Sequence, residues 1–493
     1  MKRAAEGAAV AAAGVLLALA FPAVDAPLLA WVAPAPLLYL LNGAGPKRGA
    51  FLGACFGLGF FGLLIYWISI VGVLAWFFLV IMQSLFFASF GAYWGWASRT
   101  AGATARIAVP AGAWVVLEFA RSVLPLRGFV WGQLAQSQHD LGFMLRPAGL
   151  AGGWLVAALL IVMSGALVEA ARRWTAREIR SSVLVAGAAL LVPLFGLVLP
   201  APRAEGAPVT VAVVQGNIPR YRTPSYDKDR EILDNHVRLT QELPSEVDLV
   251  VWPESSIGID PFRDEEVGAE ITTAARSVGK PMIVGGNLDR DDGRYQVMAY
   301  EVSPTGAIVD RYQKTHLVPF GEFVPARDAL DWIPALDQVP RDAVPGTEET
   351  LFDVAGGTVA PVISFEGDFG SLVRSRVAAG GRLVVVATNT STWEDSPASA
   401  QHVAMSQVRA AENGTYVIHG ALTGISAIIE PTGKVLASSE LWTSDTLIQT
   451  VRFSESPSLY ARWGDWFPRL CMLMCAAWAV VHVLRSRRDT VAG

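Results

Sequence analysis

From the N-terminus to about residue 200, apolar residues run in blocks long enough to cross a bilayer, separated by short loops that hold most of the charge. A hydrocarbon core takes about 20 apolar helical residues per crossing. Runs at 6–23, 27–42, 50–68, 70–97, 106–124, 152–171 and 182–200 meet or approach that length, and another follows at 465–484. The pattern predicts a membrane α-helical bundle of about eight spans. The second run is short and contains Pro34 and Pro36, so it is expected to be tilted or broken. Lys2 and Arg3 before the first run imitate a cleaved leader, but further spans follow at once and no small-residue cleavage site stands out.

Between residues 203 and 463 the pattern changes to short β-branched runs separated by helical stretches. Strands are expected at 209–214, 247–252, 281–285, 297–302, 359–363, 383–388, 416–420 and 426–430, and helices at 226–243, 269–278 and 399–412. Continuous apolar strands alternating with helices imply an α/β fold with both sheet faces covered. The expected division is therefore 1–202 with seven spans, 203–463 as a water-facing domain, and 464–493 as a last span and tail.

Composition supports two solvents. The 493 residues are 52% hydrophobic and 17% charged, against roughly a quarter charged in soluble domains. The net charge of −5 and the lack of basic blocks interleaved with aromatics exclude nucleic acid as an expected partner. Lys2, Arg3, Lys47, Arg48, Arg99, Arg106, Arg172, Arg173, Arg177, Arg180, Arg485, Arg487 and Arg488 all fall on one side of an eight-span arrangement. By the positive-inside rule that side is cytoplasmic, which puts 203–463 outside the cytoplasm. The connection from 124 to 152, with Arg127, Trp131 and His139, reads as an interfacial loop or as a re-entrant segment. Glu118 and Arg121, three residues apart, are spaced to pair on one helical face. Cys55, Cys471 and Cys475 lie in apolar runs, so the polar region has no disulfide and no thiol, and no metal-ligand spacing occurs.

In α/β folds reactive side chains gather at strand ends. Three polar residues hold such places: Glu254 after the run ending at Trp252, Ser364 after 359–363, and Lys314 in the stretch 311–325. Taken singly, a carboxylate after a strand is more often a helix cap than a base, and a lone lysine is more often a solvated charge.

Taken together they form a recognisable set. Trp252-Pro253-Glu254-Ser255, Lys314-Thr315-His316-Leu317-Val318-Pro319-Phe320-Gly321-Glu322 and Ser364-Phe365-Glu366 resemble the motifs of the carbon–nitrogen hydrolase (nitrilase) superfamily. With Gln215-Gly216-Asn217-Ile218-Pro219, Thr388-Asn389, Gln401-His402, Arg409-Ala410-Ala411-Glu412-Asn413-Gly414 and Thr423-Gly424-Ile425-Ser426-Ala427, and with the span layout, nearly the whole chain is similar to the apolipoprotein N-acyltransferase family of bacterial envelopes. The resemblance implies a nitrilase-like αββα sandwich on a membrane bundle in the cytoplasmic (inner) membrane. It implies acyl transfer from a phospholipid donor, through an acyl-enzyme, to the α-amino group of a diacylglyceryl-cysteine lipoprotein acceptor, with no cofactor and no metal. It assigns Glu254 as base, Lys314 to the oxyanion, residue 364 as nucleophile, and Glu322 and Glu366 as supporting carboxylates. A monomer is the default, since one chain supplies both platform and site.

The chain departs from the family pattern at the nucleophile, where Ser364 stands in place of cysteine. A hydroxyl is far less acidic than a thiol and needs stronger activation. Phe365 replaces the usual tyrosine, Thr390-Ser391-Thr392-Trp393-Glu394 replaces Asp-Ala-Trp-Phe-Gly, and Tyr221 and Tyr226 are the nearest aromatics to a missing tryptophan. Three readings stay open: a serine-dependent acyltransferase, a silent paralogue that binds phospholipid or lipoprotein, and a serine placed to trap a complex. Hydrolysis of a small nitrile or amide is a further class, disfavoured because a water-soluble substrate needs no membrane platform. Without these motifs, a membrane-anchored scaffold would be the default.

Overall fold

The computed structural model describes residues 1–218, 226–330 and 332–491. Pro219 and Tyr221 of the motifs above lie outside the described residues. The chain divides into two compact units, Met1–Ala201 with Trp463–Gly493, and Pro202–Arg462.

In the first unit, six helices among the described residues are long and apolar enough to cross a bilayer: Pro46–Leu64, Val73–Thr100, Ala103–Val123, Gly153–Thr175, Ile179–Val198 and Trp466–Arg488. The first two expected spans are shorter. Lys2–Ala18 has 17 residues, and the second run forms the pieces Leu29–Val32 and Pro34–Leu41, divided at Ala33 just before Pro34. The count of about eight therefore holds only if these short helices are included. Helices Pro46–Leu64 and Val73–Ala97 pack backbone to backbone, because a Cβ on Gly49 would sit 2.0 Å from the Gly91 carbonyl oxygen and one on Gly53 2.0 Å from that of Phe87. Small residues four apart are the usual means of such close approach in lipid.

The segment after Ala103–Val123 folds inward, with Val130, Trp131, Leu134, Gln136 and Gln138 all buried. The expected pairing of Glu118 with Arg121 is not formed. Glu118 instead accepts from Trp114 Nε1 at 3.0 Å and Leu134 N at 2.9 Å, while Arg121 donates to Gln83 Oε1 at 2.6 Å and to the Trp131 carbonyl. Buried charges take partners from the nearest fixed dipoles, and the inward loop supplies two of them, Leu134 N and the Trp131 carbonyl.

Among its described residues the second unit holds twelve strands: β1 Pro208–Gln215, β2 Leu249–Ile257, β3 Met282–Asp289, β4 Tyr295–Val302, β5 Ile308–Gln313, β6 Phe352–Val354, β7 Gly357–Ile363, β8 Leu383–Thr388, β9 Val417–Ala421, β10 Ala427–Ile429, β11 Val435–Ser438 and β12 Asp445–Arg452. They form two six-stranded sheets, in the orders β12-β1-β2-β3-β4-β5 and β11-β10-β9-β8-β7-β6. The centres are parallel, with Val211 opposite Leu249, Val250 opposite Met282, Val359 opposite Leu383 and Val385 opposite Ile418.

Strand alternation sends one set of side chains between the sheets, where Val211, Val213, Val251 and Ile283 meet Val359, Ile363, Val385 and Ile418. The opposite set packs under helices. Ala212, Val250 and Val284 meet Leu233 and Ile271 of Tyr226–Gln241 and Glu265–Val278. Val362, Val384 and Val386 meet Val373 and Ala410 of Gly370–Ala378 and Ala398–Asn413. The result is an αββα sandwich.

One local expectation changes. β2 does not stop at Trp252 but continues to Ile257, with its pairing to β3 slipping between those residues. Glu254 therefore sits inside an irregular stretch of strand rather than after it. Ser255 at φ 61° completes the irregularity.

Candidate active site

The two sheets carry the three motif residues to one place. Lys314 directly follows β5, Ser364 directly follows β7 and opens the turn Ser364–Asp368, and Glu254 projects from the slipped part of β2. Lys314 Nζ lies 3.1 Å from Glu254 Oε1 and 2.5 Å from Glu322 Oε1. The other oxygens are also held: Glu254 Oε2 accepts from Asn389 N at 2.9 Å, and Glu322 Oε2 from Val318 N at 2.7 Å. Asn389 follows Thr388, whose hydroxyl donates to Ser364 Oγ at 3.1 Å. A continuous path of hydrogen bonds and one peptide unit thus links the serine to the glutamate. Ser364 has φ 49°, a left-handed backbone that a non-glycine residue adopts at a cost of about 1–3 kcal/mol and that recurs at functional turns.

The charge count gives each group a different character. Lys314 is 1% exposed and Glu254 7%. One ammonium is shared by two carboxylates, and the shorter contact goes to Glu322. Burial raises the pKa of Glu254; Lys314 opposes this, Glu322 adds to it, and a hydrogen bond from Ser364 lowers it slightly, so its carboxyl ends above the ordinary glutamate range. Burial alone would lower Lys314, but Glu254 and Glu322 outweigh it and hold the ammonium charged well above its ordinary range. The pair therefore consists of a carboxylate with strengthened basicity beside a permanent cation.

Glu366 is fully buried and ties the turn at residue 364 to the stretch at residue 314. Its Oε1 accepts from Thr315 N and Thr315 Oγ1, each at 2.8 Å, from His316 N at 3.0 Å, and from Tyr312 OH at 2.7 Å. Its Oε2 accepts from Ile363 N at 2.9 Å. Arg376, also fully buried, donates to Tyr312 OH at 2.5 Å and lies 3.9 Å from Glu366. The Phe365 ring packs 4.9 Å from Phe369 and 5.5 Å from His316. Beneath the turn, His402 Nε2 meets Asp368 Oδ2 at 3.1 Å and Arg409 donates to the Asp368 carbonyl at 3.0 Å.

Sequence reasoning named Glu254, Lys314, Ser364, Glu322, Glu366 and Phe365, and all six lie in or against this cluster. It did not assign roles to Thr388, Asn389, Tyr312 or Arg376. Thr388 was within reach of the same rule that found Ser364, since it ends the apolar run of β8. Arg376 carried no signal, because an arginine in a short helix reads as a solvated charge until its burial is known.

Residues 13–166 match the family model of the apolipoprotein N-acyltransferase N-terminal domain, and 210–459 match that of carbon-nitrogen hydrolase. The chain is similar to the apolipoprotein N-acyltransferase of Geobacter metallireducens, with 32% identity over 97% of this chain and 95% of that one. The enzyme of the same name from Gloeobacter violaceus is 29% identical over 96% and 92% of the two chains. That of Mycolicibacterium smegmatis is 31% identical over 96% and 84%. With both halves matched in order and the similarity running end to end, the chain belongs to the apolipoprotein N-acyltransferase family, whose polar domain is a carbon–nitrogen hydrolase.

Proposed function

We propose that this chain is a serine-dependent acyltransferase that moves an acyl group from a phospholipid to the N-terminal amine of a diacylglyceryl-cysteine lipoprotein, working through an ester on Ser364. In the first half-reaction Ser364 Oγ bonds to the carbonyl carbon of the phospholipid ester, and Glu254 takes the hydroxyl proton. Negative charge moves to the carbonyl oxygen, where the Lys314 ammonium stabilises it. The bond to the glycerol oxygen then breaks, and Glu254 returns the proton to the departing lysophospholipid. In the second half-reaction the lipoprotein amine attacks the Ser364 ester, Glu254 takes a proton from nitrogen, the amide forms, and Ser364 leaves with that proton.

The observation that carries this reading is the charge arrangement around Ser364. A raised glutamate carboxylate helps most where the nucleophile is a poor acid, because proton transfer becomes less unfavourable as the base strengthens. Thr388 adds to it: by donating to Ser364 Oγ, it leaves the serine's own hydrogen free to point at Glu254. The location proposed is a bacterial cytoplasmic membrane with 203–463 on the extracytoplasmic side, supported by the basic loops that share one face of the span arrangement.

The test is transfer by the purified full-length protein, given a phospholipid with a labelled acyl chain and a synthetic diacylated lipopeptide. Triacylated lipopeptide is expected from the natural chain and none from Ser364→Ala. If the natural chain yields no product while Ser364→Cys does, the site is silent in its native form and the serine mechanism is wrong.

A further inference from the structure

The first unit contains a cavity of about 670 Å³, within the roughly 300–1,000 Å³ typical of small-molecule sites. It lies where helices Pro46–Leu64 and Ala103–Val123 begin and helices Pro34–Leu41 and Gly153–Thr175 end, which is the basic end of the bundle. Its charged lining is Arg48, Arg106, Arg172, Arg173, Glu169 and Glu178.

The pairing inside this lining is ordered and leaves one charge over. Glu169 is 4% exposed, and both its oxygens are occupied. Oε2 accepts from Arg106 Nε at 2.9 Å, and Oε1 accepts from Arg106 Nη2 and Arg173 Nε, each at 3.2 Å. Arg173 also reaches Glu178 at 3.5 Å, and Arg48 is paired with Glu6 at 2.9 Å. Three of the four lining arginines thus pair with carboxylates, two of these in the lining and the third, Glu6, outside it. Among the described residues Arg172 forms no ion pair, so the cavity keeps one positive charge in excess.

We propose that this cavity binds the phosphodiester headgroup of an anionic phospholipid in the leaflet at the basic end of the bundle. With Glu6 counted against Arg48, one positive charge is left at Arg172, which a phosphodiester's single negative charge matches, and guanidinium groups match its oxygens in pairs. Basic pockets between membrane helices on the cytoplasmic side are suited to such headgroups. A lipid fits better than free phosphate because Trp174 and Ile179, neighbours in sequence of lining residues though not in the lining themselves, are exposed at 57% and 44%. Tryptophan is enriched at membrane interfaces. The bound lipid bridges four helix ends, and none of these residues belongs to the unit that carries Ser364.

The experiment uses the full-length protein in phosphatidylcholine nanodiscs, titrated with phosphatidylglycerol, with the unfolding midpoint as readout and native mass spectrometry to count bound lipid. Phosphatidylglycerol is expected to raise the midpoint, and Arg172→Gln to weaken its apparent affinity about fivefold. Arg180→Gln, which removes an exposed arginine outside the cavity lining, is expected to leave the affinity unchanged. The proposal is overturned if Arg172→Gln behaves as the natural chain, or if Arg180→Gln weakens binding equally, which would mean a general basic field rather than a site. Inorganic phosphate at millimolar concentration is expected to do nothing; if it reproduces the shift, the assignment to a lipid fails.

Discussion

At the scale of single residues, one lysine is divided between two carboxylates. Burial raises the pKa of Glu254, Lys314 opposes this, and Glu322, which takes the shorter contact to the lysine, adds to the rise. As a base, Glu254 works only when deprotonated, so acylation should fall off on the acid side at a pH above the ordinary glutamate value of about 4.3. Glu322→Gln removes a like charge that raises Glu254, so the acid limb should move to lower pH, as read from a pH–rate profile of acyl-enzyme formation. An unmoved or upward-shifted limb contradicts the charge-sharing argument.

Glu366 acts differently, by bonding rather than by charge sharing. Its loss strands the N–H groups of Thr315, His316 and Ile363 and leaves Arg376 without its carboxylate. Glu366→Ala should destabilise the polar unit by roughly 3 kcal/mol or more, measured by denaturant unfolding of the full chain. A change below about 1 kcal/mol would mean those donors find other partners.

At the scale of elements, the slip in β2 aims Glu254, and Gly285 of β3 permits the slip. A Cβ at residue 285 would stand 2.2 Å from the Pro253 carbonyl oxygen and 2.7 Å from Glu254 Cα. Gly285→Ala should therefore push Glu254 off its position and lower the acylation rate on the order of 100-fold, while the protein stays folded by circular dichroism. An unchanged rate would show that Glu254 does not need this backbone path.

The same scale explains what the sequence disclosed and what it hid. The eight strands expected from continuous apolar runs are β1 to β4 and β7 to β10, which are the interior strands of the two sheets. The four it missed, β5, β6, β11 and β12, are the four sheet edges. Edge strands face water along one side and carry charge there, as in Asp310-Arg311 of β5 and Asp445 and Arg452 of β12, so the apolar signal fades where pairing ends. For the site, the motif residues were legible because they stand beside apolar runs. Thr388 and Arg376 were not assigned, since their roles depend on what the opposite strand or the helix below brings near.

At the scale of the whole molecule, the proposed location puts the basic loops and the polar unit on opposite sides of a membrane. The native cysteines all lie in the apolar unit, so a single introduced thiol reports its own location. Glu231→Cys, at an exposed position of the polar unit, should react with an impermeant maleimide added to intact spheroplasts, and Arg180→Cys should react only after lysis. The reverse pattern would put the site on the wrong side for lipoproteins that have left the cytoplasm.

The central claim is that Ser364 carries the acyl group, and the most direct measurement is the intact mass of the full-length protein after mixing with phospholipid alone, without any amine acceptor. The account predicts a mass increase of one acyl chain, mapped by proteolysis to the peptide containing Ser364 and abolished by Glu254→Gln. An unmodified Ser364 after prolonged incubation, in protein that binds the phospholipid, would contradict it.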